Sequence, residues 1–240
     1  MTLREFVSCL QCVMNAAGSK LTVDGQFGAM TLRETELYEI EIIVKKRTTK
    51  PPLTGGEHSE NPAYNEAKKY EGKTEHDKGF GAWLSGFWAK VGLPGYKTIV
   101  GSAFAWCGLF IFAMNTQVGQ KAITGAAGAR NWAKYGVEID WKKDGIPRGA
   151  VIHLNHAGNC DSGKGNHVTF ADGDCTVADL TKKGATVPGF GGNQGDTVKR
   201  SNYSVSEVCA VRWPAEIPKP GPINASRGCS GSASSGESTR

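Results

Sequence analysis

One cysteine of the sequence stands where a nucleophile is expected. Cys107 follows Trp106 at the front of the apolar run Leu109–Met114, whose composition predicts a buried helix, and Ser102 is the expected N-cap. A thiol in the first turns of a helix is stabilised as the thiolate by about 0.3–1 kcal/mol through the helix dipole. Because this contribution is small, a catalytic thiol also requires a histidine beside it.

The best candidate for that histidine is His167. It opens the β-branched run His167–Phe170 directly after a glycine-containing turn, so the edge of a loop would present its ring. The other four histidines lie within a predicted strand, in loops or in polar segments: His153, His156, His58 and His76. We therefore expect Cys107 and His167 to act as nucleophile and base.

A third group usually holds such an imidazole in the correct tautomer by accepting its second N–H. Asn193 is the expected orienting residue, because it lies in the glycine-rich segment Gly191–Asp196 after a predicted strand, and Asp172 and Gln194 are the alternatives. Three residues beside these groups are expected to contact the substrate: Trp106, Gly192 and Gln194.

A zinc site is the competing interpretation of the same region. His153, His156 and Cys160, with His167 and Cys175 downstream, are residue types that bind zinc. Their spacing matches no tight Cys/His knuckle, and much of the set falls in one glycine-rich loop. We therefore expect no metal and no other cofactor.

Composition excludes several classes of protein. Hydrophobic residues make up 39% of the 240 residues and charged residues 21%, which is typical of a folded globular chain. The net charge of +5 is spread along the chain, which argues against dedicated nucleic-acid binding. The longest apolar run, near 103–114, is shorter than the roughly 20 residues that span a bilayer, so we expect no membrane insertion.

The seven cysteines form no paired framework, and their odd number leaves at least one free thiol. A reducing cytosol of synthesis fits this count, although a Cys160–Cys175 bridge could form after release. Cys229 falls in a Ser- and Gly-rich terminus where no core role is expected. The beginning of the sequence lacks the apolar stretch and small-residue cleavage site of a signal peptide.

Composition shifts divide the chain into four parts. Residues 1–46 predict a small all-α module, and residues 47–60 are a basic linker rich in Pro and Gly. Residues 61–214 begin with helical segments and end in short β-branched runs, which predicts an α+β domain with a small antiparallel sheet. Residues 215–240 are expected to be a disordered tail.

The first part resembles a known module. Leu10-Gln11, Val23-Asp-Gly25, Phe27-Gly28 and Thr31 are similar in order and spacing to the helical peptidoglycan-binding module, although Glu36–Lys46 departs from the alanine-rich helix that closes it. The resemblance implies wall binding through four residues: Asp24, Gly25, Phe27 and Gly28. A helical hairpin that binds nothing is the alternative.

The larger part resembles a phage and bacterial branch of the CHAP/NlpC-type cysteine hydrolases. Five blocks between about residues 61 and 214 are similar in order: Trp106-Cys-Gly108, Asp144–Ile152, Asn166-His-Val168, Gly191–Asp196 and Val211–Pro214. Two features depart from the pattern: Gly108, where a residue with a Cβ is common, and the insertion 155–165 ahead of the histidine.

This resemblance implies a papain-like domain in which a nucleophile helix packs on the antiparallel sheet, with Cys107, His167 and Asn193 as its catalytic residues. It further implies a monomeric, endolysin-like enzyme that cleaves an amide bond of bacterial peptidoglycan and lyses the host wall. Such a phage enzyme would be made in the host cytoplasm or carried in the virion. The alternative from another class is a non-catalytic wall-binding or tail structural protein with the same fold.

Overall fold

A computed structural model describes residues 60–101 and 105–229, and these residues form an α+β fold. The helices are α1 (Pro62–Lys68), α2 (Lys78–Ser85), α3 (Cys107–Gln117), α4 (Trp141–Asp144) and α5 (Val177–Leu180). Short 3-10 turns cover Ala89–Val91, Ala129–Lys134 and Val205–Glu207. The strands are β1 (Val137–Glu138), β2 (Val151–Asn155), β3 (Asn166–Ala171), β4 (Thr186–Gly191), β5 (Lys199–Ser204) and β6 (Val208–Trp213).

The six strands form one antiparallel sheet in the order β1-β6-β2-β3-β4-β5. β2 and β3 pair along their whole length, from Val151 opposite Phe170 to Asn155 opposite Asn166. β3 and β4 pair only through Phe170 with Phe190 and Ala171 with Gly189. The first four residues of β3 are therefore not paired with β4, and their edge is open to another element.

Apolar side chains pack on both faces of the sheet, because successive residues of a strand point to opposite faces. One face packs on the helices through these strand residues: Val151, Val168, Phe170 and Phe190. The other face is covered by loops and by the chain after β6, and its core includes Ile152, Leu154, Ala171, Val187, Tyr203 and Val211. We call these the helix face and the loop face.

The helices before the sheet follow from local sequence signals. Asn61 caps α1 by accepting the Ala63 N–H at 3.0 Å, Pro62 occupies the first helical position, and the Asn61 amide also donates to Gly149 O at 2.8 Å. α2 ends before Gly86, whose N–H bonds the carbonyl oxygens of the last turn. α3 carries apolar residues on all sides and is buried along most of its length, which is typical of a core helix.

Two disulfides correct the predictions for the cysteines. Cys160 pairs with Cys209 and Cys175 pairs with Cys229, so the suggested Cys160–Cys175 bridge is wrong. Cys107 is the free cysteine of the described part of the chain. Which cysteines pair depends on which loops meet in the fold, and this cannot be deduced from the spacing of the cysteines in the sequence.

The prediction of a disordered tail is wrong for residues 215–229. This segment packs on the loop face, where Ile223 and Cys229 are buried and Asp174 and Arg227 exchange both of their backbone hydrogen bonds. Its Pro and Gly content suggested disorder, but the Cys175–Cys229 bond and the buried Ile223 hold it in place. Residues 230–240 lie outside the described range.

The chain consists of two compact units, Met1–Glu57 and His58–Arg240. The predicted all-α module 1–46 and nearly all of the predicted linker 47–60 lie outside the described residues, as do Asp24, Gly25, Phe27, Gly28 and Ser102. Within the described residues, no helix has the length and apolar character needed to cross a membrane.

Candidate active site

Cys107 is the first residue of α3, and its thiol is enclosed by protein. Trp106 is the N-cap, so the prediction of Ser102 for this position is wrong. Trp106 makes no side-chain capping bond, and the first N–H groups of the helix remain near the thiol. Burial raises the pKa of the Cys107 thiol, whereas hydrogen bonds from the N–H groups of Val168, Gly108 and Cys107 itself lower it. Since burial is the largest effect, the thiol is neutral near pH 7.

The hydrogen bond from Val168 locates the thiol relative to the sheet. Val168 is on the part of β3 that β4 does not pair with, and it directly follows His167. At the other side of this opening, a Cβ at Gly192 would lie 2.8 Å from the Phe110 Cβ of α3. The start of α3 therefore occupies the gap between β3 and the end of β4, which brings Cys107 beside the residue after the predicted base.

His167 lies on β3 and is 1% exposed. Burial is the main reason that the pKa of the imidazole falls from 6.5 to about 3; the neighbouring His156 and His153 also lower the pKa, and a hydrogen bond with the Gln194 side chain opposes the fall. The ring is therefore neutral, and Nε2 makes no hydrogen bond within the described residues.

Gln194, an alternative at the sequence level, is the amide that hydrogen-bonds the His167 ring. Its Oε1 accepts from Tyr203 Oη at 2.5 Å and from Thr169 Oγ1 at 3.2 Å, and its Nε2 donates to Lys199 O. With both ends of the amide engaged, the orientation of Gln194 is set by two strands. Gln194 is 1% exposed, so its side chain has almost no surface with which to make the predicted contact with substrate.

Asn193, the predicted orienting residue, is next to this network. Its backbone is left-handed, with φ of 59°, a conformation that Asn adopts more readily than most residues. The residue is 5% exposed, and no hydrogen bond joins its side chain to the His167 ring within the described residues. Asn193 thus shapes the turn that positions Gln194.

Two further rings lie next to His167: Tyr203, which was missed in the sequence, and His156, which was considered only as a loop residue or a zinc ligand. The Tyr203 ring centroid lies 5.5 Å from that of His167, and the His156 centroid lies 6.0 Å from it in a stacked arrangement. His156 Nδ1 is 2.8 Å from Glu207 Oε2. The charge of a Cys107 thiolate would raise the pKa of Tyr203, so the thiol lies within electrostatic range of the phenol. Tyr203 belongs to β5, a strand too polar to be recognised from its pattern.

Trp106 and Gly192 pack against each other. Trp106 is 1% exposed, stacks edge-on with Phe80 and Phe110, and donates from Nε1 to Glu75 Oε2 at 3.2 Å. A Cβ at Gly192 would overlap the Trp106 ring. Trp106 and Gly192 therefore pack against each other inside the protein, where the sequence had predicted that both contact the substrate.

Gly108 departs from the pattern of the cysteine hydrolases for a steric reason. A Cβ at this position would lie 2.5 Å from Ala126 O and 2.6 Å from Ala127 O, well inside van der Waals contact. The segment 126–127 therefore passes directly over the second residue of α3, and only glycine allows that approach.

The competing zinc set loses two of its members to disulfides. Cys160 and Cys175 are both oxidised, so neither can supply a thiolate. Residues 60–101 and 105–229 contain no group of three or more His, Cys, Asp or Glu side chains arranged to hold a metal ion.

The arrangement is suited to nucleophilic attack assisted by a neutral base. Gln194 Oε1 raises the pKa of His167 by accepting a ring N–H, and since Nε2 has no partner among the described residues, that N–H is on Nδ1. This tautomer leaves a lone pair on Nε2, which can take the proton of a thiol.

No protein-family model, curated protein or solved structure matches the chain.

Proposed function

We propose that the chain is a cysteine hydrolase that cleaves an amide bond in the peptide part of bacterial peptidoglycan, with a papain-like arrangement of thiol and imidazole. The observation that carries this proposal is the hydrogen bond from the Val168 N–H to the thiol of Cys107, the first residue of α3. This bond supports the proposal because Val168 directly follows His167 on β3. The choice of peptidoglycan rests on the resemblance of the five sequence blocks.

The reaction begins with a neutral pair. As the Cys107 sulfur attacks the carbonyl carbon of the substrate, His167 Nε2 takes the thiol proton, so charge develops only in the transition state. The Cys107 backbone N–H at the helix N-terminus stabilises the oxyanion. His167 then protonates the leaving amine, and an acyl thioester remains on Cys107.

Water completes the cycle with the same base. His167 Nε2 takes a proton from water as the oxygen attacks the thioester carbonyl, and the thiolate that leaves recovers the proton from the imidazolium. Gln194 keeps the ring in the Nδ1–H tautomer throughout, a role that Thr169 and Tyr203 support by holding the Gln194 oxygen. In this account Gln194 replaces Asn193 as the orienting residue.

Turbidity loss of purified cell walls tests the proposal. Cys107→Ala and His167→Ala should each abolish the loss, whereas His76→Ala, which changes an exposed histidine, should lyse walls at the wild-type rate. Circular dichroism of each variant establishes that it is folded. Lysis near the wild-type rate by Cys107→Ala or His167→Ala would sink the proposal.

The second candidate is a non-catalytic wall-binding or tail protein, and the burial of the site favours it. Cys107 and His167 are each 1% exposed, and burial shifts both pKa values toward the neutral forms. Alkylation with iodoacetamide near pH 7 separates the candidates. If His167 activates the thiol, Cys107 is labelled at least about tenfold faster in the wild type than in His167→Ala. Equal rates in the two proteins favour the non-catalytic candidate.

A further inference from the structure

A cavity of about 420 Å³ lies between the 3-10 turn Ala129–Lys134 and the strands β2 and β6. Its volume is within the range of roughly 300–1,000 Å³ that is usual for ligand pockets. Charged and aromatic groups line it, together with one disulfide: Arg130, Lys134, His153, Asp161 and Cys160–Cys209. None of these residues takes part in the proposed reaction.

The charges of the cavity are available to a ligand. The Arg130 guanidinium is 3.8 Å from Asp161 Oδ1, but the Asp161 side chain is fully exposed, and such pairs contribute about 0–1 kcal/mol. Lys134 forms no ion pair with the part of the chain that the structure describes. A ligand anion can therefore replace Asp161 at Arg130 at little cost and gain Lys134 as a second partner.

His153 adds a hydrogen-bond acceptor to the wall of the cavity. Its Nε2 is 2.9 Å from Asn166 Oδ1, and the Asn166 amide is oriented by its own donation from Nδ2 to Ser162 O at 2.9 Å. His153 Nε2 therefore carries the proton. His153 Nδ1 is left with a lone pair, is shielded from solvent, and has no partner among the described residues. Burial, together with the charge of Arg130, keeps the pKa of the ring low and the ring neutral.

We propose that this cavity binds the carboxylate end of a peptide, with Arg130 and Lys134 on the carboxylate and His153 Nδ1 on the N–H group next to it. Planar bidentate recognition of a carboxylate is what an arginine does best. A phosphodiester offers the anion but no donor for the bare Nδ1, so the set of groups favours a peptide terminus. That the peptide comes from a cell wall rests on the proposed function.

Calorimetric titration of the full-length Cys107→Ala variant, which cannot cleave the probe, tests this assignment. The probe is acetyl-L-lysyl-D-alanyl-D-alanine with a free carboxylate, and its matched control is the same peptide with a C-terminal amide. We expect the carboxylate form to bind at least about tenfold more tightly, as a charge-assisted contact requires. Arg130→Gln and Lys134→Gln should each remove most of that preference.

Arg148→Gln is the control variant, because Arg148 is an arginine of similar exposure that pairs with Glu60 and does not line the cavity. It should bind the probe as the parent does. Equal affinity for acid and amide, no binding of either, or equal affinity for inorganic phosphate overturns the proposal. If the variant binds the carboxylate peptide tightly but the wild-type protein leaves cell walls intact, the proposed function is rejected and the assignment of the cavity as a carboxylate site stands.

Discussion

His153 and His167 lie on neighbouring strands, and comparing their surroundings separates burial from function. Both are nearly fully buried, burial lowers the pKa of both, and each hydrogen-bonds an amide side chain, Asn166 or Gln194. His153 pairs across the strands with Val168, whereas His167 precedes Val168, so the two rings point to opposite faces of the sheet. Each keeps one nitrogen without a partner in the described part of the chain.

What distinguishes the two regions is the chemistry of the neighbours. His167 lies beside the Tyr203 ring and directly precedes Val168, whose N–H bonds the Cys107 thiol, while His153 faces Arg130 and a disulfide. A neutral imidazole with a free lone pair can act as a base when it lies beside a thiol. Beside two cationic side chains, the same lone pair can accept a hydrogen bond from a bound ligand. The perturbed pKa alone would have nominated both residues for catalysis.

The largest expected effect tests this contrast directly. His167→Ala should lower the rate of wall hydrolysis at least about a thousandfold, because the thiol loses its base. His153→Ala should lower it less than about tenfold and weaken binding of the carboxylate peptide instead. Initial rates of release of soluble fragments measure both, at equal concentrations of folded protein. A comparable loss of hydrolysis in both variants would contradict the different roles assigned to His153 and His167.

The two disulfides should stabilise the domain equally and serve the two regions differently. The bonds close sequence separations of 49 and 54 residues. Replacing either pair by serines should therefore lower the free energy of unfolding by about 4 kcal/mol, measured in urea. Only the Cys160→Ser/Cys209→Ser variant removes a wall of the cavity, so it alone should lose affinity for the carboxylate peptide. If both variants lose it equally, the effect is general destabilisation.

The orienting role gives a smaller, local effect. Gln194→Ala should slow hydrolysis about 10- to 100-fold, because His167 no longer holds one tautomer. Asn193→Gly is the matched control, since glycine accepts the left-handed backbone at this position without strain. It should stay within about threefold of the wild type. A larger loss with Asn193→Gly than with Gln194→Ala would restore the expectation for Asn193.

Acid should weaken the fold through the same histidine. The folded state holds His167 neutral, with its pKa at about 3, while the unfolded chain takes up a proton below the ordinary value of 6.5. The free energy of unfolding is therefore highest above pH 6.5 and should fall by about 2 kcal/mol between pH 7 and pH 5 from this residue alone. Urea unfolding at the two pH values measures it. The fall should be smaller in His167→Gln and unchanged in His76→Gln.

Local signals in the sequence predicted much of this fold. The buried helix that contains Cys107 and the strands at His153 and His167 are confirmed, because each follows from an apolar or β-branched run. The helix begins later than expected, with Trp106 at the N-cap position predicted for Ser102. β5 is polar or charged at every position except Tyr203 and was missed. Its Tyr203 packs on the loop face, a contact that only the pairing with β4 creates.

The composition of the site depends on contacts that local patterns do not encode. Asn193 and Gln194 are equivalent amides in the sequence, and the left-handed turn at Asn193 decides which of them meets the His167 ring. In the same way, Cys160 joins Cys209 because the loop after β2 lies over the start of β6. Tertiary packing decides which amide meets the histidine and which cysteines pair, because a shift of one residue brings a different side chain to the same neighbour.

Mass spectrometry of the fragments released from purified walls tests the central claim, that Cys107 is the nucleophile for an amide bond. Wild-type protein should release fragments that carry one new amine and one new carboxylate, each product pair heavier than its parent by one water. Cys107→Ala, folded by circular dichroism, should release none of them. The same fragments from Cys107→Ala, or wild-type products cleaved only in the glycan chain, would contradict the account.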